Sequence, residues 1–172
     1  MPTSILRAFL SAVTLSLAIL VATPSQATEF IIEPIDYDIP AEVEAAAEEN
    51  KNLVVMFSTN GCPYCAKMHK RVFPHPKVSN QYDETFYMFE INMAGDLEVV
   101  THKGEATTEK KYAQDMRVRA TPVFVFFGKD GQEALRLTGY QDPAMFMTAG
   151  RYVSSDAYKD GTSFIKFVRS GK

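Results

Sequence analysis

Residues 53–65 read Leu-Val-Val-Met-Phe-Ser-Thr-Asn-Gly-Cys-Pro-Tyr-Cys. The first five form a continuous apolar run rich in β-branched side chains, which predicts a buried central strand. Asn60 and Gly61 are a turn signal, and Pro63 suits the first turn of a helix. The two cysteines, Cys62 and Cys65, are therefore expected where a strand turns into a helix.

The rest of the chain alternates predicted helices with predicted strands. Helices are expected over residues 41–50, 66–73, 107–115, 142–153 and 162–168, and strands over residues 53–57, 85–92, 122–127 and 133–138. The first two strands need a helical crossover, and the last two are joined by a tight turn at residues 128–131. Residues 28–40 are rich in proline and should be partly extended, whereas residues 93–106 read as a loop-like insertion. This order predicts an α/β fold with a central mixed sheet flanked by helices.

Composition limits the classes of protein that the chain can belong to. Its 172 residues, 46% hydrophobic and 23% charged, suffice for one domain with a sizeable core. A net charge of −3 argues against a nucleic-acid partner, since such proteins usually carry a basic face. Two cysteines and three histidines are too few for a four-cysteine zinc module or a multi-disulfide scaffold.

The N-terminus has the pattern of a secretory signal. One positive charge, Arg7, precedes an apolar run over residues 8–22. The segment that follows ends at Ala27 in small residues with the spacing that a signal peptidase accepts. The run is shorter than the roughly 20 residues that span a bilayer, so an uncleaved anchor is less favoured. We expect residues 1–27 to be removed, leaving one domain over residues 28–172. The signal resembles those of bacterial proteins, which predicts export to the periplasm, a compartment in which disulfides persist.

The spacing of the two cysteines predicts redox chemistry. A thiol at the exposed start of a helix lies near unsatisfied N–H groups, which lower its pKa to about 3.5–7.5 in such motifs. Cys62 is therefore expected to be the nucleophile. Cys65, one turn inside the helix, would attack the resulting mixed disulfide and release the reduced partner.

Two other interpretations of the cysteines are open. A permanent disulfide is one, but so small a loop removes little entropy from the unfolded chain. A zinc site formed by Cys62, Cys65, His69 and His75 is the other, although prolines bracket His75. His69, one turn after Cys65, either tunes that cysteine or is simply an exposed helix residue.

The motifs resemble those of the thioredoxin superfamily over most of the chain. The matching features are the strand at 53–57, Cys62-Pro63-Tyr64-Cys65, Val118-Arg-Ala-Thr121-Pro122 before an apolar strand, and residues 126–131 with Gly139-Tyr140. The resemblance implies a thioredoxin-like fold and a thiol–disulfide oxidoreductase without a cofactor. In that family the proline matching Pro122 is cis and faces the cysteines. Substrate contacts are therefore implied for Pro63, Tyr64, Thr121 and Pro122, although Tyr64 alternatively only shields the sulfurs.

Within the superfamily, the chain resembles periplasmic proteins of the SoxW type and the catalytic domains of DsbC and DsbG. This likeness implies a protein-disulfide reductase acting on protein disulfides or oxidised thiols, with a membrane thiol transporter of the DsbD or CcdA kind as electron donor. Too few residues precede Cys62 for a dimerisation domain, so a monomer is expected. A dithiol oxidase, an isomerase-like enzyme or sulfenic-acid reductase, and a non-catalytic metal- or partner-binding module are the alternatives.

The chain departs from thioredoxins at the positions that surround the cysteines. Met56 stands where they carry a buried aspartate that deprotonates the second cysteine, and Gly61 stands where they carry tryptophan. Glu90, on the neighbouring predicted strand, is a candidate substitute that would act through water. A strand glutamate more often faces solvent, so both interpretations are open.

Overall fold

The structure, a computed structural model, describes residues 29–34 and 36–171, so the predicted signal peptide over 1–27 lies outside the described residues. Within those ranges the helices and strands follow one another as a mixed α/β chain. In chain order they are α1 (Ile39–Glu48), β1 (Asn52–Ser58), α2 (Pro63–Lys67) with a π turn (Met68–Val72), α3 (Pro76–Thr85), β2 (Phe86–Asn92), β3 (Glu98–Val100), β4 (Ala106–Thr108), α4 (Glu109–Asp115), β5 (Val123–Phe127), β6 (Glu133–Thr138), α5 (Pro143–Ser154) and α6 (Phe164–Arg169).

The main sheet has the strand order β2-β1-β5-β6. Strands β1 and β2 run parallel and are joined through α2 and α3, as a parallel pair requires. Strand β5 is antiparallel to both β1 and β6, and β5 and β6 form the predicted hairpin. The mixed sheet flanked by helices confirms the predicted fold class.

Helices cover both faces of this sheet. Alternate residues of β1 enter two separate apolar clusters, with Val54 and Met56 in one and Leu53, Val55 and Phe57 in the other. The first cluster includes residues of α2, α3, α5 and α6, and the second includes residues of α1 and α4. Burial on both faces explains why β1 is a continuous apolar run in the sequence.

The aromatic side chains of β5 belong to the core. Phe124, Phe126 and Phe127 are fully buried, although Phe127 lies in the second cluster and the other two in the first. The chain before α1 also contributes, because Phe30 is fully buried and Ile31 forms a parallel bridge with Met88. This bridge confirms that the segment is partly extended.

Several features differ from the sequence predictions, among them the helix predicted over 107–115, whose first two residues belong to β4. Helix α3 was not predicted, because its buried residues are only Val78, Ser79 and Tyr82 and its pattern is mostly polar. Residues 93–106, predicted as a loop, instead contain β3 and lead into β4, with which β3 forms an antiparallel hairpin. Strands of three residues are too short to show the alternation on which strand prediction depends.

The helix boundaries follow from their caps. Asp38 accepts a hydrogen bond of 3.0 Å from the backbone N–H of Ala41, so α1 begins two residues before the predicted start. Within residues 29–34 and 36–171, no helix is both long enough and apolar enough to cross a membrane.

Candidate functional site

The cysteine pair lies where β1 turns into α2, as the sequence predicts. Gly61 adopts a φ of +75°, which suits the tight turn that follows Ser58, since glycine tolerates the left-handed region. Cys62 is the N-cap of α2 and forms a disulfide with Cys65, with 5.3 Å between the two Cα atoms. The turn and the helix start together bring both sulfurs to one end of the sheet.

The two cysteines differ in exposure and in hydrogen bonding. Cys62 is half-buried, whereas Cys65 is only 6% exposed. The backbone N–H of Cys65 donates to Sγ of Cys62 at 3.0 Å. An N–H directed at a sulfur stabilises its thiolate, so Cys62 has both the access and the electrostatic support of a nucleophile.

A groove of about 410 Å³ opens beside the disulfide. Its lining includes both cysteines, the turn that precedes them, His69 and Glu90. A larger cavity of about 680 Å³, lined by residues of α5 and α6 and the segment between them, shares no lining residue with this groove. The groove, and not the larger cavity, lies against the disulfide.

Glu90 lies on β2 and faces the groove. Its backbone pairs in register with Met56 on β1, and its carboxylate is hydrogen-bonded to Nε2 of His69. The side chain is 30% exposed, so Glu90 is partly open to solvent as well as bonded to His69. Burial opposes its ionisation, but hydrogen bonds from His69 and Ser58 outweigh burial and hold the pKa of Glu90 below its usual range.

A π turn holds His69 in this position. The predicted helix over 66–73 is interrupted at Met68–Val72, where the N–H of Phe73 bonds to the carbonyl of Met68 at 3.0 Å. Such wide turns are rare and occur often at functional sites. The His69 ring packs edge-on against Phe73, with 4.9 Å between centroids, and its Nε2 meets Glu90.

The Thr121–Pro122 segment lies at the same end of the sheet. The peptide bond between the two residues is cis, as the family resemblance implies. It precedes β5, whose first residue, Val123, pairs with Phe57 near the end of β1. Thr121 is half-buried, whereas Pro122 is buried and its carbonyl accepts a hydrogen bond of 2.7 Å from the N–H of Gly139.

The other two predicted contact residues are exposed. Pro63 and Tyr64 occupy the first turn of α2, and Tyr64 is 56% exposed. With this exposure, the Tyr64 ring does not pack over the sulfurs and shield them from solvent. It is available to a partner that approaches the cysteine pair.

The structure does not bring the hypothetical zinc ligands together. His75 is the N-cap of α3, and its Nδ1 accepts a hydrogen bond of 3.3 Å from the backbone N–H of Lys77. In the part of the chain that the structure describes, no group of three or more His, Cys, Asp and Glu side chains could hold a metal ion.

Fold and site together define a thioredoxin-fold protein with a redox cysteine pair. The chain belongs to the thioredoxin-like domain family, whose model matches residues 39–154. Among curated proteins, none matches the chain in sequence.

Solved structures of similar fold include thioredoxins and a Dsb protein. A thioredoxin-fold protein from Helicobacter pylori is 20% identical with a TM-score of 0.58, covering 83% of this chain and 84% of that one. A thioredoxin from Thermus thermophilus is 27% identical with a TM-score of 0.56, covering 73% and 91%. The oxidoreductase DsbH is 14% identical with a TM-score of 0.53, covering 84% and 95%.

Proposed function

We propose that this protein is a thiol–disulfide oxidoreductase that reduces protein disulfides, with Cys62 as the nucleophile and Cys65 as the resolving cysteine. The observation that carries the proposal is the asymmetry of the pair. Cys62 is the more accessible sulfur and receives the N–H of Cys65, whereas Cys65 is nearly buried. An accessible, stabilised thiolate beside a sheltered thiol suits attack followed by resolution.

The reaction proceeds in two exchanges. The Cys62 thiolate attacks one sulfur of the client disulfide, forming a mixed disulfide, and the other client sulfur leaves and takes up a proton. Cys65 then loses its proton and attacks Sγ of Cys62, which releases the second client thiol. Two electrons pass from the dithiol to the client, and the enzyme is left with the Cys62–Cys65 disulfide.

The client would contact the surface around the sulfurs. Pro63 and Tyr64 present an exposed apolar face beside Cys62, and the half-buried Thr121 lies at the same end of the sheet. We assign these three residues and Pro122 to client binding, following the family resemblance. Because Pro122 is buried, its role would be to hold the Thr121 backbone rather than to offer a broad contact surface.

The cellular setting belongs to the proposal as well. The signal pattern over residues 1–27 supports cleavage and a single mature domain over 28–172, and we propose on this basis that the enzyme works in the periplasm. There it would work as a monomer of the SoxW or DsbC–DsbG catalytic-domain type. A reductase in an oxidising compartment needs an electron source, and a membrane transporter of the DsbD or CcdA kind would reduce the Cys62–Cys65 disulfide.

The test is catalysed reduction of insulin by dithiothreitol. The wild-type mature protein should accelerate the reaction, and Cys62→Ser should abolish the acceleration. Cys65→Ser should lose turnover but accumulate mixed disulfides with client proteins, which non-reducing gels show as bands that disappear on reduction. The chain has only two cysteines, so each variant leaves one identifiable thiol. Failure of the wild-type protein to accelerate reduction would reject the proposal.

A further inference from the structure

The hydrogen-bonded pair of His69 and Glu90 lies beside the cysteines but has no part in the exchanges described above. Both side chains line the groove that also holds Cys62 and Cys65. The contact spans 21 residues of sequence and joins the π turn to β2. It is therefore formed by the fold and not by helical proximity.

Cys65 must lose its proton in the resolving step, and the pair of His69 and Glu90 can accept it. Cys65 reacts only as a thiolate, and burial in apolar surroundings raises the pKa of a thiol. The Cys65 side chain lies in the first apolar cluster. The β1 residues in that cluster are Val54 and Met56, and neither side chain can accept a proton. A base is therefore needed, and the groove supplies one.

His69 is placed to be that base. It follows Cys65 by four residues, across the junction between α2 and the π turn, and both residues line the groove. A proton can pass from Cys65 to the imidazole either directly or through one water molecule in the groove. Glu90 contacts the imidazole and not the sulfur, so it orients the ring and stabilises the cation that forms.

We propose that His69, positioned by Glu90, accepts the proton of Cys65 during resolution of the mixed disulfide. The inference rests on the proposed oxidoreductase function and adds the groups that move the proton. The Sγ–H bond of Cys65 breaks and an N–H bond forms on His69. The Cys65 thiolate then attacks Sγ of Cys62, and the departing client thiolate takes the same proton back from the imidazolium.

Other charged and titratable groups bear on this pair. On β1, Ser58 is hydrogen-bonded to Glu90. Before α1, burial first and then the charges of nearby glutamates, Glu90 among them, raise the pKa of Tyr37, so that it stays neutral. On the helix, Lys67 and Lys70 flank the histidine and reach solvent. Neither lysine is among the residues that line the groove, and Nζ of Lys67 lies 3.9 Å from the centroid of the Tyr140 ring.

The experiment follows a small aromatic disulfide, dithiobis-nitrobenzoate, reacting in excess with the fully reduced mature protein in a stopped-flow instrument. The first thionitrobenzoate released reports attack by Cys62, and the second reports attack by Cys65 on the mixed disulfide. Wild type, Glu90→Gln and His69→Gln are compared between pH 6 and 10. The control is Asp115→Asn, which removes an exposed carboxylate paired with Lys111 on α4, on the other face of the sheet.

The two pair variants should affect the second release and not the first. Both pair variants should slow the second release by about tenfold or more at pH 7 and leave the first unchanged, because general bases contribute factors of this size or larger. The difference between wild type and the two variants in the rate of the second release should disappear above about pH 9, because hydroxide ionises thiols there without a protein base. Asp115→Asn should match wild type. Imidazole added to His69→Ala should restore part of the second release, which a purely structural role of the ring would not allow.

Two results would overturn the inference while leaving the proposed function intact. One is an unchanged second release with the wild-type pH profile in both variants. The other is equal slowing of both releases at every pH together with a lower unfolding temperature, which would make the pair a structural tie between the π turn and β2. If wild-type protein gave no first release at all, Cys62 would not be the nucleophile, and the proposed function would fall together with the inference.

Discussion

The backbone N–H of Cys65 donates its hydrogen bond to Sγ of Cys62, at 3.0 Å. One residue therefore contributes two groups to the same chemistry, a backbone donor that stabilises the attacking sulfur and a side-chain thiol that later displaces the client. Because Cys62 precedes the first helical turn, no intrahelical carbonyl competes for that N–H.

This geometry predicts the pH dependence of Cys62 alkylation in the reduced protein. The thiolate is stabilised, so the alkylation rate should rise with pH around a midpoint at or below about 7.5, compared with about 8.5 for an ordinary cysteine. Iodoacetamide labelling of Cys65→Ser, followed by mass spectrometry, measures the midpoint for Cys62 alone. A midpoint near that of free cysteine would show that the N–H contact has no electrostatic effect.

Tyr64 should matter for protein clients and not for small disulfides. Its ring is 56% exposed beside the sulfurs, and truncating such an aromatic contact typically costs about 1–2 kcal/mol of binding. We expect Tyr64→Ala to raise KM for a protein disulfide about five- to thirtyfold while the rate with a small aromatic disulfide stays the same. The matched control is Ile165→Ala on α6, another exposed apolar residue, 65% exposed. Equal effects of the two variants would remove Tyr64 from client binding.

Gly95 should resist substitution because of Glu109. A Cβ at Gly95 would overlap Oε2 of Glu109, a carboxylate that is almost fully buried and accepts a hydrogen bond of 2.8 Å from the N–H of Asn92. We expect Gly95→Ala to lower the free energy of unfolding by about 1–3 kcal/mol, as overpacking generally does. In a Glu109→Ala background the same change should cost much less. Additive effects in urea denaturation would show that the two residues do not collide.

His102 should make the fold less stable in mild acid. Burial first, and then the charge of Lys103, lower the pKa of His102, whose Nδ1 is 3.0 Å from the hydroxyl of Tyr112. The unfolded chain therefore binds more protons than the folded one below about pH 6.5, and stability falls as pH falls through that range. Urea denaturation between pH 5 and 8 should show a shallower decline for His102→Gln. An identical slope would show that His102 does not contribute to the acid sensitivity.

Much of the fold followed from local patterns. The apolar run of β1, the turn residues between β5 and β6, and the helix formers of α1 each specify their own conformation. Helix α3 was missed because it buries only Val78, Ser79 and Tyr82 and otherwise reads as polar chain. The hairpin of β3 and β4 was missed because its strands pair with each other over three residues each.

The functional site likewise has one part that the sequence predicts and one part that it does not. The spacing and helix start of Cys62 and Cys65 are local, so sequence was enough to find them. The contact between His69 and Glu90 depends on the π turn and on the register that places Glu90 beside Met56. Neither the turn nor the register leaves a sequence signal. The sequence names Glu90 and His69 separately as candidates, but it does not predict that their side chains are hydrogen-bonded to each other.

The direction of electron flow is decided by the reduction potential of the Cys62–Cys65 pair. Equilibration of the mature protein with defined ratios of reduced and oxidised glutathione, followed by thiol trapping, gives this potential. A reductase should have a value near or below about −220 mV, toward the thioredoxin end of the scale. A value near about −120 mV, at the DsbA end, would make the protein a dithiol oxidase and reverse the proposed direction of exchange.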